Sequence, residues 1–209
     1  MTRVSENTKR VLVWLVAMVC SSCALQPAIR PVTDPTMRFS GTGYSALPPQ
    51  GKDWYIVHHS QDAVTFSKVS PEKMEKYHTF GAGVIVTPWT AKNIHSPTEF
   101  PKAVEKLFLA NLTRGRFRLI SFRVAPFGSG GSYCSQYDSV YEERDNPKAP
   151  GVTLEMTNHG FVCLDSSSKF MIDVAYSERS PKGSRSFLDD ALKQEVEGFL
   201  RDVVVTPLH

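Results

Sequence analysis

Cysteine and histidine are the residue types in this chain best suited to covalent or acid–base chemistry, and the spacing of the cysteines limits what they can do. Cys20 and Cys23 lie near the amino terminus, while Cys134 and Cys163 lie in the second half. A thiolate beside an imidazole would make a nucleophilic pair, and Cys134 with His159 is the candidate. No recognisable motif surrounds Cys134, however, and Cys163 offers it an oxidisable partner. In an oxidising compartment the pattern favours a disulfide between Cys134 and Cys163.

Metal binding is the second chemistry to consider, because the chain has six histidines. They are His58, His59, His78, His95, His159 and His209. A zinc site needs three or four converging ligands, adjacent histidines on a strand point to opposite faces, and no HExxH or CxxC spacing occurs. The sequence therefore predicts no metal, no cofactor and no catalytic set. His78, in an apolar run, is expected to be a hydrogen-bonded core residue.

A ladder of aromatic hydroxyl groups is one candidate binding surface. Tyr133, Tyr137 and Tyr141 share one face of a predicted strand, with Ser135 and Ser139 between them. If it is exposed, this face suits a glycan or a peptide, because aromatic rings stack and hydroxyls form hydrogen bonds. The alternative is that the tyrosine rings line the core.

A second candidate surface is basic. Arg116 and Arg118, with Arg114 and Arg123 nearby, form a local cluster. Such a cluster suits phosphate headgroups or other anionic polymers. The alternative is a solvated face whose arginines are paired with carboxylates.

The amino terminus indicates the compartment in which these residues work. Residues 1–10 are basic and residues 11–20 are continuously apolar. This order is typical of a secretory signal. Ten apolar residues form a helix of about 15 Å, well short of the roughly 30 Å needed to cross a bilayer, so a spanning helix is the weaker interpretation.

The cysteine that follows makes the signal more specific. The segment Cys20-Ser21-Ser22-Cys23 resembles the lipobox of bacterial lipoproteins, which implies that Cys23 is lipidated. The alternative is an ordinary signal peptide with an incidental cysteine. No acidic residue follows Cys23, which is similar to lipoproteins that are sent to the outer membrane.

Removal of the signal also changes the charge of the chain. The formal net charge of the whole sequence is +3, and residues 1–22 contain three of its 24 basic and one of its 21 acidic residues. The mature chain is thus nearly neutral, with a formal charge of +1. Charge therefore gives no case for a nucleic-acid partner.

The remaining chain divides into a tether and one domain. Residues 23–52 contain five prolines and three glycines without apolar periodicity, which predicts a lipidated cysteine followed by a flexible tether. The alternative is an arm that lies on the surface of the domain. Residues 53–209 are predicted to form a single globular domain.

The pattern within this domain predicts an α+β fold. Strands are expected at 54–58, 63–68, 77–87, 116–125, 133–143, 152–165 and 169–178, and helices at 96–113 and 187–202, capped by Ser96 and Ser186. Short connections favour antiparallel pairing. The expectation is a single antiparallel sheet of about six or seven strands with two main helices, an order loosely similar to the Mog1/PsbP-like folds.

Two short segments suggest a family. Residues 160–163 (Gly-Phe-Val-Cys) and 174–179 (Val-Ala-Tyr-Ser-Glu-Arg) resemble small proteobacterial envelope lipoproteins of unknown function. The resemblance implies a lipid-anchored envelope protein, with no known activity. Together with the absence of a catalytic set, it predicts a non-enzymatic binding or accessory module for another envelope protein or glycan, at the outer membrane facing the periplasm. The alternative is a periplasm-facing hydrolase with dispersed catalytic residues.

Overall fold

The computed structural model describes residues 29–68, 77–90, 94, 96–112, 115–127, 133–165, 167 and 169–205. The predicted signal peptide and Cys23 lie outside these residues. The helices are α1 (Phe100–Leu112) and α2 (Asp190–Asp202). The strands are β1 (Arg30–Pro31), β2 (Phe39–Gly41), β3 (Tyr44–Ala46), β4 (Trp54–His59), β5 (Ala63–Lys68), β6 (Thr79–Pro88), β7 (Phe117–Pro126), β8 (Cys134–Glu143), β9 (Leu154–Leu164), β10 (Phe170–Pro181) and β11 (Val204–Val205).

The strands form two antiparallel sheets. The main sheet has eight strands in the order β1-β4-β5-β6-β10-β9-β8-β7, and a small sheet has the order β11-β3-β2. The predicted α+β class, with an antiparallel sheet and two helices, is confirmed. The predicted count of six or seven strands in a single sheet is wrong. Strand β1 adds an eighth strand to the main sheet, and the three strands of the small sheet lie in the predicted tether and near the carboxyl terminus, where no strand was predicted.

Part of the segment predicted as a flexible tether belongs to the folded structure, because β1 pairs with β4 and β2 and β3 belong to the small sheet. Phe39, Tyr44 and Ala46 are at most 4% exposed and belong to the core beneath α2. The ring of Phe39 meets that of Phe66 edge-on at 5.4 Å. Strands of only three residues are too short to produce a visible apolar period, so the prolines and glycines around them suggested a loose chain.

Helix α2 is placed by a cap that differs from the predicted one. Asp189 is the N-cap, and its Oδ1 accepts a hydrogen bond from the backbone N–H of Leu192 at 2.8 Å. The predicted cap, Ser186, instead donates to Glu178 Oε2 at 2.6 Å. The helix therefore begins later than predicted, and its buried residues are Leu192, Val196 and Phe199.

Helix α1 also begins later than its predicted start. Backbone hydrogen bonds from Glu99 to Ser96 and from Phe100 to Pro97 form turns before the helix.

Among the described residues, no helix is long and apolar enough to span a membrane.

The two helices cover opposite faces of the main sheet. Phe199 of α2 packs against Phe66 at the β4–β6 end, whereas Phe108 of α1 packs against Phe122 and Tyr137 at the β7–β8 end. In the described part of the chain, the α2 side of β7, β8 and β9 therefore has no helix over it. We call this surface the open face.

His78 lies in the covered part of the sheet. Its side chain is buried, and its Nε2 is 2.6 Å from Glu178 Oε1. The prediction that His78 is a hydrogen-bonded core residue is confirmed.

Candidate binding surface

The tyrosine ladder faces the core. Tyr137 and Tyr141 are 4% and 2% exposed, because α1 covers this side of β8. Tyr133 is half-buried, with its ring centroid 6.2 Å from that of Phe100. The prediction of an exposed binding ladder is wrong for Tyr137 and Tyr141, and the alternative of core tyrosines holds.

A buried carboxyl group lies beside this ladder. The hydroxyl of Tyr137 donates to Asp173 Oδ1 at 2.9 Å, and in the described part of the chain the buried Oδ2 has no hydrogen-bond partner. Burial raises the pKa of Asp173 to about 7, against the opposing effect of the hydrogen bond from Tyr137. Burial and the neighbouring carboxyl group also raise the pKa of Tyr137. Enclosed beneath α1, this pair bears on stability rather than on ligand binding.

Arg116 is engaged at the end of the sheet. Its Nε donates to Glu143 Oε1 at 3.0 Å, and Arg179 reaches the other oxygen of Glu143 at 2.7 Å. The Glu143 side chain is 2% exposed, so it depends on these cations for compensation. Arg116 is therefore paired with a carboxylate, which was the alternative interpretation of the basic cluster, and does not have the predicted binding role.

Arg118 is different, because 65% of its side chain is exposed. It lies 3.9 Å from Glu142 Oε2, whereas Arg144 donates to the same oxygen at 2.7 Å and Lys182 contacts the other. Hydrogen bonds from Lys182 and then Arg144 lower the pKa of Glu142 below its ordinary value. Since these two cations already compensate Glu142, Arg118 keeps a charge directed to solvent.

A polar row crosses the open face and continues onto β10, following the strand register. From β7 to β10 the row is Arg123, Asp138, His159 and Tyr176, each opposite the next. Asp138 Oδ1 and His159 Nδ1 are 2.6 Å apart, and these side chains are 58% and 42% exposed. The centroids of the His159 and Tyr176 rings are 5.4 Å apart. His159 thus has a carboxylate partner, not the Cys134 thiol considered from the sequence.

This row has the groups to hold a polar ligand. A carboxylate that engages Nδ1 of an imidazole orients the ring, and Nε2 is then the nitrogen that can exchange hydrogen bonds with a ligand. Burial raises the pKa of Tyr176, helped by the negative charges of Glu197, Asp138 and Glu178, so its hydroxyl stays a donor. Arg123 adds a cation at the outer end of the row.

An aromatic pair and a disulfide close one end of the open face. Phe127 is 40% exposed and stacks on Phe161 at 4.8 Å between centroids. Cys134 and Cys163 are opposite each other in the register, 4.1 Å apart at Cα, and are joined by a disulfide. The disulfide predicted from the sequence is thus present, and it fixes β8 to β9.

Metal-ligating residues do not gather in the described ranges. No group of three or more His, Cys, Asp or Glu side chains there could hold a metal ion. His58 Nε2 lies 3.3 Å from Ser60 Oγ, and His59 packs edge-on against Phe39.

The sequence pattern drew attention to the tyrosines of β8, and the residues that alternate with them on the other face were not predicted as a binding surface. Gln136 and Asp138 are exposed, whereas Ser135 and Ser139 are buried. Because successive side chains point to opposite faces, the strand has one aromatic face and one amide and carboxylate face, and the aromatic one packs on the core. The difference between the aromatic face and the amide and carboxylate face of β8 is the sequence feature that could have predicted the open face.

No protein-family model and no curated protein matches this chain. Solved structures of Mog1 are similar to it in part. The crystal structure of the Saccharomyces cerevisiae Ran-binding protein Mog1p has 12% identity and a TM-score of 0.41, over 79% of this chain and 91% of Mog1p. A point mutant of protein Mog1 has 11% identity and a TM-score of 0.40, over 82% of this chain and 96% of that one. At these values the likeness carries no inference about function.

Proposed function

We propose that this chain is a lipid-anchored protein of the bacterial cell envelope, at the outer membrane facing the periplasm, whose domain binds another envelope protein or glycan through the open face. The observation that carries the binding role is the row of Arg123, Asp138 and His159, on a part of the sheet that α2 leaves uncovered, with the half-buried Tyr176 at its inner end. The basic, apolar and Ser-Ser-Cys pattern that ends at Cys23 supports the anchor. The disulfide supports an oxidising compartment.

A hydrolase is the second candidate, and the Asp138–His159 pair is the observation that favours it. A general base needs a nucleophile or a positioned water within hydrogen-bond reach. Cys134, the candidate nucleophile, is oxidised in the disulfide. A binding role therefore explains the polar row without requiring a nucleophile or a positioned water. Hydrolysis of a panel of fluorogenic esters and amides that His159→Ala abolishes would favour the enzyme instead.

Site-specific photocrosslinking tests the binding role. A photoreactive amino acid at Gln136, on the open face, is compared with one at Lys102, an exposed position of α1. We expect a discrete adduct in intact cells from Gln136 only. Digestion of the adduct with protease or with glycan-cleaving enzymes then identifies its class. The same adducts from both positions, or none from Gln136, would contradict the proposal.

The anchor has its own test, because it depends on one residue outside the described part of the chain. We expect Cys23→Ser to release the protein from the membrane fraction and to remove the mass of the lipid, since several acyl chains give stable anchoring. Cys20→Ser is the matched control and should leave the protein in the membrane. Retention of the Cys23→Ser protein at unchanged mass would show that this cysteine is not the anchor.

A further inference from the structure

Strand β7 forms one edge of the main sheet, and its hydrogen-bonding direction can be read from its pairing. Phe127 donates its backbone N–H to Cys134 at 3.0 Å, and the register continues as Ala125–Gln136 and Arg123–Asp138. Since antiparallel strands alternate between inward and outward groups, Phe122 and Val124 direct their N–H and C=O groups away from β8. Among the described residues, no strand pairs with this outer side.

The outer side of β7 is a template for a further strand. An unpaired edge strand of ten residues offers a row of backbone donors and acceptors that another extended chain can use. Pro126 falls on the outward series, where a missing N–H disturbs no bond to β8, and a bulge lies between Leu119 and Ser121. These features limit the template to the stretch between the bulge and Pro126.

The positive charge of β7 determines which kind of strand can pair with its outer side. Arg118 and Arg123 are exposed on β7, and no acidic residue occurs from 115 to 127. Two copies of the chain paired through β7 would bring four such arginines together, which is unfavourable. An acidic strand would be attracted instead. Beyond the two ends of this stretch, Ile120 in the bulge and Phe127 after Pro126 are 46% and 40% exposed.

We infer that β7 binds an extended acidic segment of a partner protein by strand addition. This inference rests on the proposed binding function and narrows its partner to a protein. The backbone of the segment pairs with Phe122 and Val124, and an acidic side chain meets Arg123 on the open face. Arg118, beyond the bulge, adds attraction at longer range. Specificity for acidic residues comes from the arginines, while the backbone pairing supplies a contact common to any extended chain.

The test uses synthetic ten-residue peptides and the purified mature protein. One peptide alternates Glu and Val, a second replaces each Glu by Lys, and a third is the acidic peptide with a central proline pair. Fluorescence anisotropy should give saturable binding of the first only, weakened by added salt. Arg123→Glu should weaken that binding at least ten-fold, and Lys102→Glu, which makes the same charge change on α1, should leave it unchanged.

Hydrogen exchange then distinguishes pairing from simple charge attraction. On binding of the acidic peptide, the amides of Phe122 and Val124 should become protected, while those of Arg123 and Ala125, which already face β8, should change little. Equal binding of the proline-containing or the lysine peptide, no binding of the acidic peptide, or unprotected Phe122 and Val124 amides would overturn the inference. A Gln136 adduct obtained together with such a result would leave the binding function standing and remove only strand addition.

Discussion

Strands β7 to β10 present two contrasting faces. Beneath α1, Phe108 stacks on Phe122 at 4.9 Å between centroids, and Asp173 is enclosed with Tyr137 as its partner. On the open face, Asp138 is 58% exposed and pairs with His159. The same backbone produces both environments because side chains alternate along each strand.

The difference shows how coverage by one helix decides what a carboxyl group can do. Burial raises the pKa of Asp173 to about 7, so its proton is retained where an ordinary carboxyl group would be ionised. No helix of the described residues lies over Asp138, whose side chain is 58% exposed to water. The covered face is therefore expected to control stability, and the open face to control binding.

The largest expected effect comes from a matched pair of phenylalanines. Phe108→Ala removes a ring that is 4% exposed and should lower the free energy of unfolding by about 3–5 kcal/mol. Phe127→Ala removes a ring that is 40% exposed and should cost about 1 kcal/mol or less. Urea denaturation measures both. Equal losses would mean that the open face is as well packed as the covered one.

The buried acid predicts an unusual dependence of stability on pH. The folded chain holds the Asp173 proton up to about pH 7, whereas the unfolded chain releases it near the ordinary value of 3.8. The folded state therefore binds more protons between these values, and the free energy of unfolding should fall as pH rises through this window, by at most about 4 kcal/mol. Asp173→Asn should remove this fall.

Melting curves from pH 4 to pH 8 provide the measurement. The comparison variant is Asp138→Asn, which removes a carboxyl group that is 58% exposed on the open face instead of a buried one. Parallel slopes for wild type and Asp173→Asn would mean that the buried carboxyl group does not titrate in this window.

The disulfide should stabilise the pairing of β8 with β9 from the open face, which no helix of the described residues covers. Joining Cys134 to Cys163, 29 residues apart, restricts the unfolded chain and is expected to contribute about 3–4 kcal/mol. Replacing both cysteines by alanine should lower the melting temperature accordingly, and reductant should then have no further effect. An unchanged melting temperature in the double variant would show that packing alone holds β8 to β9.

The sequence predicted what depends on local pattern and missed what depends on tertiary placement. All seven predicted strands of the main sheet, both helices and the cysteine pair could be predicted, because periodicity and cysteine count are properties of the chain itself. The small sheet was missed because β2 and β3 have only three residues each. The Asp138–His159 pair was missed because 21 residues separate the partners, and only the β8–β9 register brings them together.

The smallest expected effect on stability is the one that best separates the two faces. Asp138→Asn removes the charge of an exposed pair, and such pairs contribute about 0–1 kcal/mol, so the free energy of unfolding should change by less than about 1 kcal/mol. The amide of asparagine nevertheless cannot pair with His159 Nδ1 as a carboxylate does. We therefore expect the Gln136 photocrosslink to weaken several-fold in this variant while its urea denaturation curve stays that of the wild type. Lys193→Gln, on the solvent side of α2, removes a similarly exposed charge and should alter neither measurement. If the Asp138→Asn variant lost stability but kept the crosslink, the polar row would serve the fold and not the ligand. The assignment of binding to the open face would then be wrong.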